Sequence, residues 1–213
     1  MALPEHENVT DRSPSEDTVR IASPDERQAL ADTLVLAFIE DPINRWLFPD
    51  PAVYLEAFPE FVRSYGGKAF DHESAYVTDN LAATALWLPS GVYPDESAIV
   101  EVFTTHVPPE RQKPALEALE TLDRYHPDEP CWQLPFIGTE PTRQGQGSGS
   151  VLMEYALDRC DRNGELAYLE STNPQNLSLY LRHGFEILGT VRVGSMPPLF
   201  PMKREPQRRP TSL

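Results

Sequence analysis

A glycine-rich stretch carries the clearest chemical signal in the sequence. Between an apolar segment and an amphipathic one stand Gln144, Gly145, Gln146, Gly147, Ser148, Gly149 and Ser150. Glycine lets a backbone approach a ligand closely and adopt positive φ. Successive amide N–H groups at the start of a helix, together with the helix dipole, attract anions. The stretch therefore indicates a pyrophosphate site, and a turn whose glycines serve packing alone is the alternative.

Two familiar phosphate-binding patterns do not account for this stretch. A P-loop ends in Gly-Lys-Ser/Thr, whereas Gly149 is followed by Ser150 and Val151. A dinucleotide fingerprint, counted from Gly145, places Ser150 where a third glycine or alanine is needed. Only about 60 residues follow, too few for the rest of a doubly wound domain. A nucleotide-dependent oxidoreductase is therefore a weaker hypothesis.

A second group of polar residues follows the glycine-rich stretch. Asn176 and Tyr180 are four residues apart, so on a helix they face the same side. Glu170 ends an apolar segment that reads as a strand, and it is our first choice for a general base. His126 is the second choice, because imidazole is a residue type suited to acid–base chemistry. Structural roles for all four, in core packing, capping, ion pairing or a loop, remain open.

Strand and helix signals alternate along the chain and predict an α/β (α+β) fold around one sheet. The last third predicts a strand at 132–139, a helix from about Gly147 to Asn163, a strand at 166–171 and a short helix at 174–182 capped by Asn173. Further strands are predicted at 18–22, 74–77, 81–88, 185–193 and 199–202, and further helices from 23, from 51, at 97–106 and at 109–125.

The composition of the chain disfavours several classes of protein. The 213 residues carry a net charge of −15, and no apolar run approaches membrane-spanning length. Residues 1–142 hold 26 acidic and 9 basic side chains, whereas residues 143–213 hold 7 and 9. This balance disfavours a nucleic-acid partner, which needs a basic surface. We expect disordered tails at 1–17 and 204–213, one domain at 18–203, no membrane or metal partner, and a cytoplasmic location.

Several motifs taken together resemble the GNAT superfamily of N-acetyltransferases. The pattern Gln144-x-x-Gly147-x-Gly149 is similar to the family's Q/R-x-x-G-x-G/A signature, which binds the pyrophosphate of acetyl-coenzyme A. The segments 169–180 and 183–186 resemble its second motif, and residues 83–89 more weakly its third strand. The sequence E-S-T-N-P-Q-N, followed by Y-L-R-H-G-F, most resembles the puromycin N-acetyltransferase-like branch of this family.

The resemblance implies a mixed sheet that splays between its fourth and fifth strands, here 132–139 and 166–171. The pantetheine arm of acetyl-coenzyme A then pairs with the free backbone of the fourth strand. Tyr180 takes the position that protonates the departing thiolate. The residues implied in cofactor binding are Ile137, Gly138, Thr139, Gln144, Gly145, Gln146, Gly147, Ser148, Gly149, Ser150, Asn173, Asn176 and Tyr180.

The resemblance leads to one functional hypothesis and one principal alternative. The hypothesis is transfer of an acetyl group from acetyl-coenzyme A to a primary amine of a small cationic acceptor, by direct attack in a ternary complex. The acidic front half is expected to attract that amine, with Phe38, Trp46, Tyr54, Trp87, Glu40 and Asp41 as pocket candidates. The alternative is a non-catalytic acyl-coenzyme A sensor or interaction module. The acceptor's identity and the oligomeric state stay open.

Overall fold

A computed structural model describes residues 18–207 and contains one seven-stranded mixed sheet in the order β1-β2-β3-β4-β5-β7-β6. The strands are β1 (Val19–Ile21), β2 (Ala75–Thr78), β3 (Ala83–Leu88), β4 (Cys131–Thr139), β5 (Leu166–Ser171), β6 (Glu186–Ile187) and β7 (Phe200–Arg204). The helices are α1 (Arg27–Ala37), α2 (Pro42–Leu47), α3 (Pro51–Gly66), α4 (Glu96–His106), α5 (Pro109–Asp123), α6 (Ser148–Asn163) and α7 (Leu177–Arg182). The predicted fold class is confirmed.

Capping residues begin several of these helices. Ser23 and Glu26 form the predicted capping box, with the Ser23 amide donating to Glu26 Oε2 at 2.8 Å. Asp50 caps α3 through the amides of Ala52 and Val53. Asp41 caps α2 in the same way, although we did not predict this helix from the sequence. The Asp41-Pro42 pair is the same start signal as Asp50-Pro51 and could have revealed it.

The sheet splays where the resemblance predicts. The parallel strands β4 and β5 pair from Cys131↔Leu166 to Leu134↔Leu169. Beyond that point β4 stays paired with β3 as far as Thr139, and β5 stays paired with β7 as far as Ser171. The next residue of β4 is Pro135, which has no backbone N–H to donate. The separation leaves a cleft beside the second half of β4.

Helices cover both faces of the sheet. One core packs α1, α3, α4 and α5 against one face, and a second core packs α6 and α7 against the other. Helix α1 packs very close to β4: a Cβ atom built on Gly138 would stand only 2.7 Å from Cβ of Ala37. Only glycine allows α1 to approach this strand so closely.

Two boundaries differ from the sequence-based expectation. The strand predicted at 185–193 is wrong in extent, since only Glu186–Ile187 is a strand and Val191 makes a single bridge to Leu199. Gly189 interrupts the regular pairing. Segment 188–199 therefore keeps only isolated contacts with neighbouring backbone, from the Leu188 amide to the carbonyl of Pro201 and between Val191 and Leu199.

The C-terminal tail begins later than 204. Arg204 ends β7 and is buried, where its guanidinium pairs with both carboxylate oxygens of Asp161 at 2.7 and 2.9 Å. The residues predicted as tails at 1–17 and 208–213 lie outside the described part of the chain. Among residues 18–207, no helix combines the length and apolar character needed to cross a bilayer.

Candidate active site

A groove of about 620 Å³ lies between the end of β4, the glycine-rich loop and α7, and we call it the loop groove. Eleven of the thirteen residues implied in cofactor binding line it: Ile137, Gly138, Thr139, Gln144, Gly145, Gly147, Gly149, Ser150, Asn173, Asn176 and Tyr180. Gln146 and Ser148 are not among the lining residues, and Ser148 is buried beneath the loop at 5 % exposure. Arg182 at the end of α7, which we did not predict, adds a cation to the lining.

The loop that lines this groove has the conformation that its glycines permit. Gly145 and Gly147 have φ of 74° and 97°, and Gly147 directly precedes α6. The side-chain amide of Gln144 donates to the carbonyl of Thr139 at 3.1 Å and so ties the loop to the end of β4. The 16-residue helix α6 directs the positive end of its dipole toward this loop. The arrangement is suited to a phosphate group, in agreement with the prediction from the glycine spacing.

A second space, the aromatic cavity, has a volume of about 100 Å³. Its aromatic walls come from Phe38, Phe61, Tyr65, Phe103, Phe136 and Tyr180. Segment 188–199 contributes Met196 and Leu199, so this part of the chain between β6 and β7 closes this cavity. The polar residues in the lining are Asn44, Glu170, Thr172 and Asn176. An apolar body with one polar end is the kind of molecule that such walls can hold.

The loop groove and the aromatic cavity meet beside the second half of β4. Phe38, Ile137, Asn176 and Tyr180 line both spaces. A ligand in the loop groove and a second ligand in the aromatic cavity therefore touch the same four residues. Because reacting groups must approach within about 3–3.5 Å, this shared boundary is the place where chemistry between the two ligands can occur.

Tyr180 is the ionisable residue on that boundary. It is 6 % exposed, and its ring packs edge-on against Phe185 with 6.2 Å between centroids. Burial, and secondarily the charge of Asp41, raise the pKa of Tyr180 well above that of a free phenol. The hydroxyl is therefore protonated at neutral pH and can act as a proton donor.

Glu170 lies in the lining of the aromatic cavity, on the side away from the glycine-rich loop. Its carboxylate accepts hydrogen bonds from the hydroxyls of Tyr65 at 2.7 Å and Tyr168 at 3.1 Å. Gln133 in turn donates to the Tyr65 hydroxyl at 3.0 Å. Burial raises the pKa of Glu170, and the two hydroxyl donors partly oppose this effect. A carboxyl group with a raised pKa is a stronger base once it is ionised.

His126, our second choice for the base, does not line the aromatic cavity. Its ring lies 5.0 Å from that of Tyr168, and its Nδ1 is 3.0 Å from the carbonyl of Pro127. It borders a separate pocket that also includes Glu170 and Asp123. Five residues, Glu170 among them, line both this pocket and the aromatic cavity, so His126 lies beside the neighbouring space rather than in the lining of the cavity itself.

Asp41 lies beside the same boundary, and sequence reasoning named it only as a charge that could attract an amine. Its Oδ1 accepts from the amides of Ile43 and Asn44 at 3.0 and 3.1 Å. Its Oδ2 accepts from the hydroxyl of Thr172 at 2.5 Å, which links α2 to the residues after β5. Burial raises the pKa of Asp41, and the hydrogen bonds oppose that shift.

The other predicted pocket residues are divided among different surroundings. Phe38 lines both spaces, whereas Glu40 lines the loop groove alone. The remaining three are core residues: Trp46, Tyr54 and Trp87, with exposures of 9 %, 1 % and 0 %. Asn44, Tyr65 and Thr172 were missed, because nothing in their local sequence distinguishes them from packing residues.

The two cysteines are poor nucleophiles in this structure. Burial raises the pKa of Cys131 to about 11 and that of Cys160 to about 12, so both are thiols at neutral pH. Within residues 18–207, no group of three or more His, Cys, Asp or Glu side chains is placed to hold a metal ion.

The splayed sheet, the loop groove and the cavity that meets it define an acetyltransferase-type α/β fold. Comparison of the sequence with protein families agrees, since residues 41–185 match the Acetyltransferase (GNAT) family. The match covers more than half of the chain, which therefore belongs to this family.

Relatives of known sequence or structure are consistent with this family. An uncharacterized N-acetyltransferase of Schizosaccharomyces pombe is 32% identical over 83 residues, which is 38% of this chain and only about a third (34%) of that protein. A histone acetyltransferase HPA2-related protein of Corynebacterium glutamicum has a TM-score of 0.65 at 24% identity, over 92% of this chain and 99% of its own.

Two solved insect enzymes have the same fold. Arylalkylamine N-acetyltransferase 2 of Aedes aegypti has a TM-score of 0.64 at 12% identity, covering 91% of this chain and 100% of its own. A Drosophila melanogaster polyamine N-acetyltransferase, which forms N-acetylagmatine, has a TM-score of 0.62 at 19% identity, covering 89% and 100%. At these identities the similarity establishes the fold alone.

Proposed function

We propose that this protein transfers an acetyl group from acetyl-coenzyme A to the primary amine of a small cationic acceptor. The observation that carries the proposal is the boundary formed by Phe38, Ile137, Asn176 and Tyr180, which belongs to the loop groove and to the aromatic cavity alike. Two substrates held in these two spaces meet at this boundary. Direct attack in a ternary complex needs such a meeting point.

The loop groove is the proposed site of acetyl-coenzyme A. Its diphosphate lies at the loop from Gln144 to Ser150, where backbone amides and the α6 dipole favour an anion. Its pantetheine amides pair with β4 beyond Leu134, where pairing with β5 has ended. Arg182 supplies a positive charge to a phosphate of the cofactor.

The proposed reaction uses one base and one acid. Glu170 receives a proton from the acceptor ammonium group, directly or through water, and leaves a neutral amine. The amine nitrogen attacks the thioester carbonyl carbon, a C–N bond forms and the C–S bond breaks. Tyr180, whose raised pKa keeps it protonated, donates its proton to the departing sulfur, and its phenolate then takes the excess proton from the nitrogen of the new amide. Glu170 releases the ammonium proton to solvent, so both residues return to their starting states. Asp41 is the next carboxylate to test should Glu170 prove dispensable, because its charge acts on Tyr180.

The relatives support an amine as the acceptor. The solved neighbours described above are named for arylalkylamines and for polyamines. The aromatic walls of the cavity suit an apolar body, and the carboxylate of Glu170 in its lining suits a cationic end.

The proposal extends to the protein as a whole. Residues 18–203 act as one N-acetyltransferase domain, with Arg204 completing its last strand. We also propose the puromycin N-acetyltransferase-like branch, on the sequence E-S-T-N-P-Q-N followed by Y-L-R-H-G-F, and a cytoplasmic location without nucleic-acid or membrane partners, on the net charge of −15.

The decisive experiment measures release of free coenzyme A thiol when the full-length protein is mixed with acetyl-coenzyme A and a panel of amines. We expect thiol release that depends on the amine, and a product heavier by one acetyl group in mass spectrometry. Tight binding of acetyl-coenzyme A without thiol release for any amine would favour the sensor alternative. Calorimetric binding of NAD(P) but not of acetyl-coenzyme A would favour an oxidoreductase.

A further inference from the structure

Asn44 has an unusual position for an asparagine. It is 3 % exposed on α2 and lines the aromatic cavity. Its Nδ2 donates to Oδ1 of Asp41 at 3.1 Å, whereas its own Oδ1 accepts no hydrogen bond from any group within residues 18–207. Leaving a buried acceptor unpaired is unfavourable, so a buried amide oxygen of this kind is expected to find a partner.

The amide orientation follows from its neighbour. Oδ1 of Asp41 already accepts hydrogen bonds from two backbone amides. An ionised carboxylate can accept hydrogen bonds but cannot donate one. Rotating the Asn44 amide by 180° would set its oxygen against the carboxylate oxygen. The orientation with Nδ2 toward Asp41 is therefore the stable one, and it leaves the oxygen available to a donor.

The available oxygen lies near the proposed chemistry. Asp41, which holds Asn44, also accepts from Thr172 in the lining of the same cavity. The charge of Asp41 acts on Tyr180, the proposed acid. Asp41 also lines the loop groove, so Asn44 is held at the end of the cavity that faces this groove, where the acceptor must present its reacting nitrogen.

We propose that Oδ1 of Asn44 accepts a hydrogen bond from the reacting nitrogen and thereby selects primary over secondary amines. This inference rests on the proposed function. A neutral primary amine has a lone pair and two N–H bonds. One N–H can be held by Asn44 while the lone pair attacks the thioester, and the other proton is the one that the nitrogen loses, to the phenolate left by Tyr180, as the amide forms. A secondary amine has one N–H and cannot do both.

The test compares phenethylamine with N-methylphenethylamine as acceptors. In the wild-type protein we expect kcat/KM to favour the primary amine. Because one hydrogen bond is involved, Asn44→Leu should lower kcat/KM for phenethylamine by about tenfold or more and affect the N-methyl analogue much less. The steric effect of the N-methyl group does not bias the test, because the same two amines are compared in the wild-type protein and in each variant.

Two further variants separate selection from a general disturbance of the cavity. Asn44→Ser removes the amide in a smaller side chain, in case Asn44→Leu does not fold, and it should also reduce the preference. Met196→Leu changes an apolar residue of the same cavity and should leave the ratio of the two kcat/KM values unchanged. An equal fall for both amines in the Asn44 variants would overturn the inference and assign Asn44 a role in holding α2.

A binding measurement distinguishes this inference from the proposed function. If the wild-type protein binds acetyl-coenzyme A but acetylates neither amine, the proposed function fails for these acceptors. Calorimetric titration of phenethylamine into protein loaded with coenzyme A then still tests Asn44. Weaker binding to Asn44→Leu than to wild type would support the contact, and equal binding would overturn it.

Discussion

The loop groove and the aromatic cavity meet at the same four residues but are built in different ways. The loop groove is open, and much of it comes from two short stretches, 137–150 and 173–182, with glycine backbone prominent. The aromatic cavity is smaller, and its lining side chains come from positions spread between Phe38 and Leu199. A site built from local backbone can be recognised in a sequence, whereas a site built from distant side chains depends on packing.

The largest expected effect concerns Tyr180, one of the four residues that line both spaces. Tyr180→Phe removes the proposed proton donor and should lower kcat by about tenfold or more, because the thiolate then leaves without a proton. The dissociation constant of acetyl-coenzyme A should change little, since the ring remains in place. Steady-state kinetics and calorimetry check the two quantities. The exposed Tyr155 offers Tyr155→Phe as a control with unchanged kinetics, and near-wild-type turnover in Tyr180→Phe would remove Tyr180 from the mechanism.

A comparable effect is expected on the side of the aromatic cavity. Glu170→Gln should lower kcat/KM for the amine by about 10- to 100-fold, because the proposed base is lost. Since burial raises the pKa of Glu170, wild-type kcat/KM should fall with decreasing pH already above the ordinary range of a glutamate. Acidification protonates the base and so reduces the active fraction.

The acid limb of that pH profile should be absent from Glu170→Gln. Glu165→Gln serves as the control, since Glu165 accepts from the indole of Trp132 at 2.9 Å and lies outside both spaces. A wild-type profile retained in Glu170→Gln would transfer the role to another base, with Asp41→Asn as the next variant.

A smaller effect should be confined to the loop groove. Gly145 and Gly164 have similar positive φ, 74° and 71°, and open space where a Cβ would stand. Alanine at either position costs about 1–2 kcal/mol of backbone strain, so both variants should lose similar thermal stability. Of these two glycines, Gly145 lines the loop groove and Gly164 does not. We therefore expect Gly145→Ala, but not Gly164→Ala, to raise the dissociation constant of acetyl-coenzyme A by about fivefold to tenfold. Equal cofactor affinity in the two variants would contradict the placement of the diphosphate.

The smallest effect concerns the charge that surrounds the two spaces. Residues 1–142 carry 26 acidic side chains against 9 basic ones, so association of a cationic amine should weaken as salt screens the attraction. We expect kcat/KM for a cationic amine to fall a few-fold between low and high ionic strength. Acetyl-coenzyme A is an anion and is not attracted by these acidic residues, so we do not expect its KM to rise with salt through the same screening. Flat amine kinetics over that range would reject electrostatic steering.

The two spaces also differ in how far the sequence predicted them. Gln144, Gly145, Gly147 and Gly149 lie in the lining of the groove, and they could be singled out because their spacing and the helix that follows are local features. The side chain of Ser148 is buried, which loop spacing does not show, and its cofactor contact stays a prediction. The short helix α2 was missed although Asp41 and Pro42 signal its start.

The aromatic cavity shows where prediction from sequence reached its limit. Phe38 and Trp46 are both aromatic residues near α2, yet only Phe38 lines the cavity. Glu170 was selected for its position at the end of a strand, but its contacts with Tyr65 and Tyr168 were not foreseen. Tyr65 is distant in sequence, and only the packing of α3 on the sheet brings it within 2.7 Å of that carboxylate.

The sequence by itself determined the order of strands and helices in outline, the glycine turn before α6 and the pairing of Asn176 with Tyr180 on one helix face. These follow from hydrophobic periodicity, capping and backbone freedom, which act over a few residues. Only the tertiary structure decided which polar side chains lie together in the aromatic cavity, because burial, pKa shifts and an unpaired amide oxygen arise from contacts between distant parts of the chain.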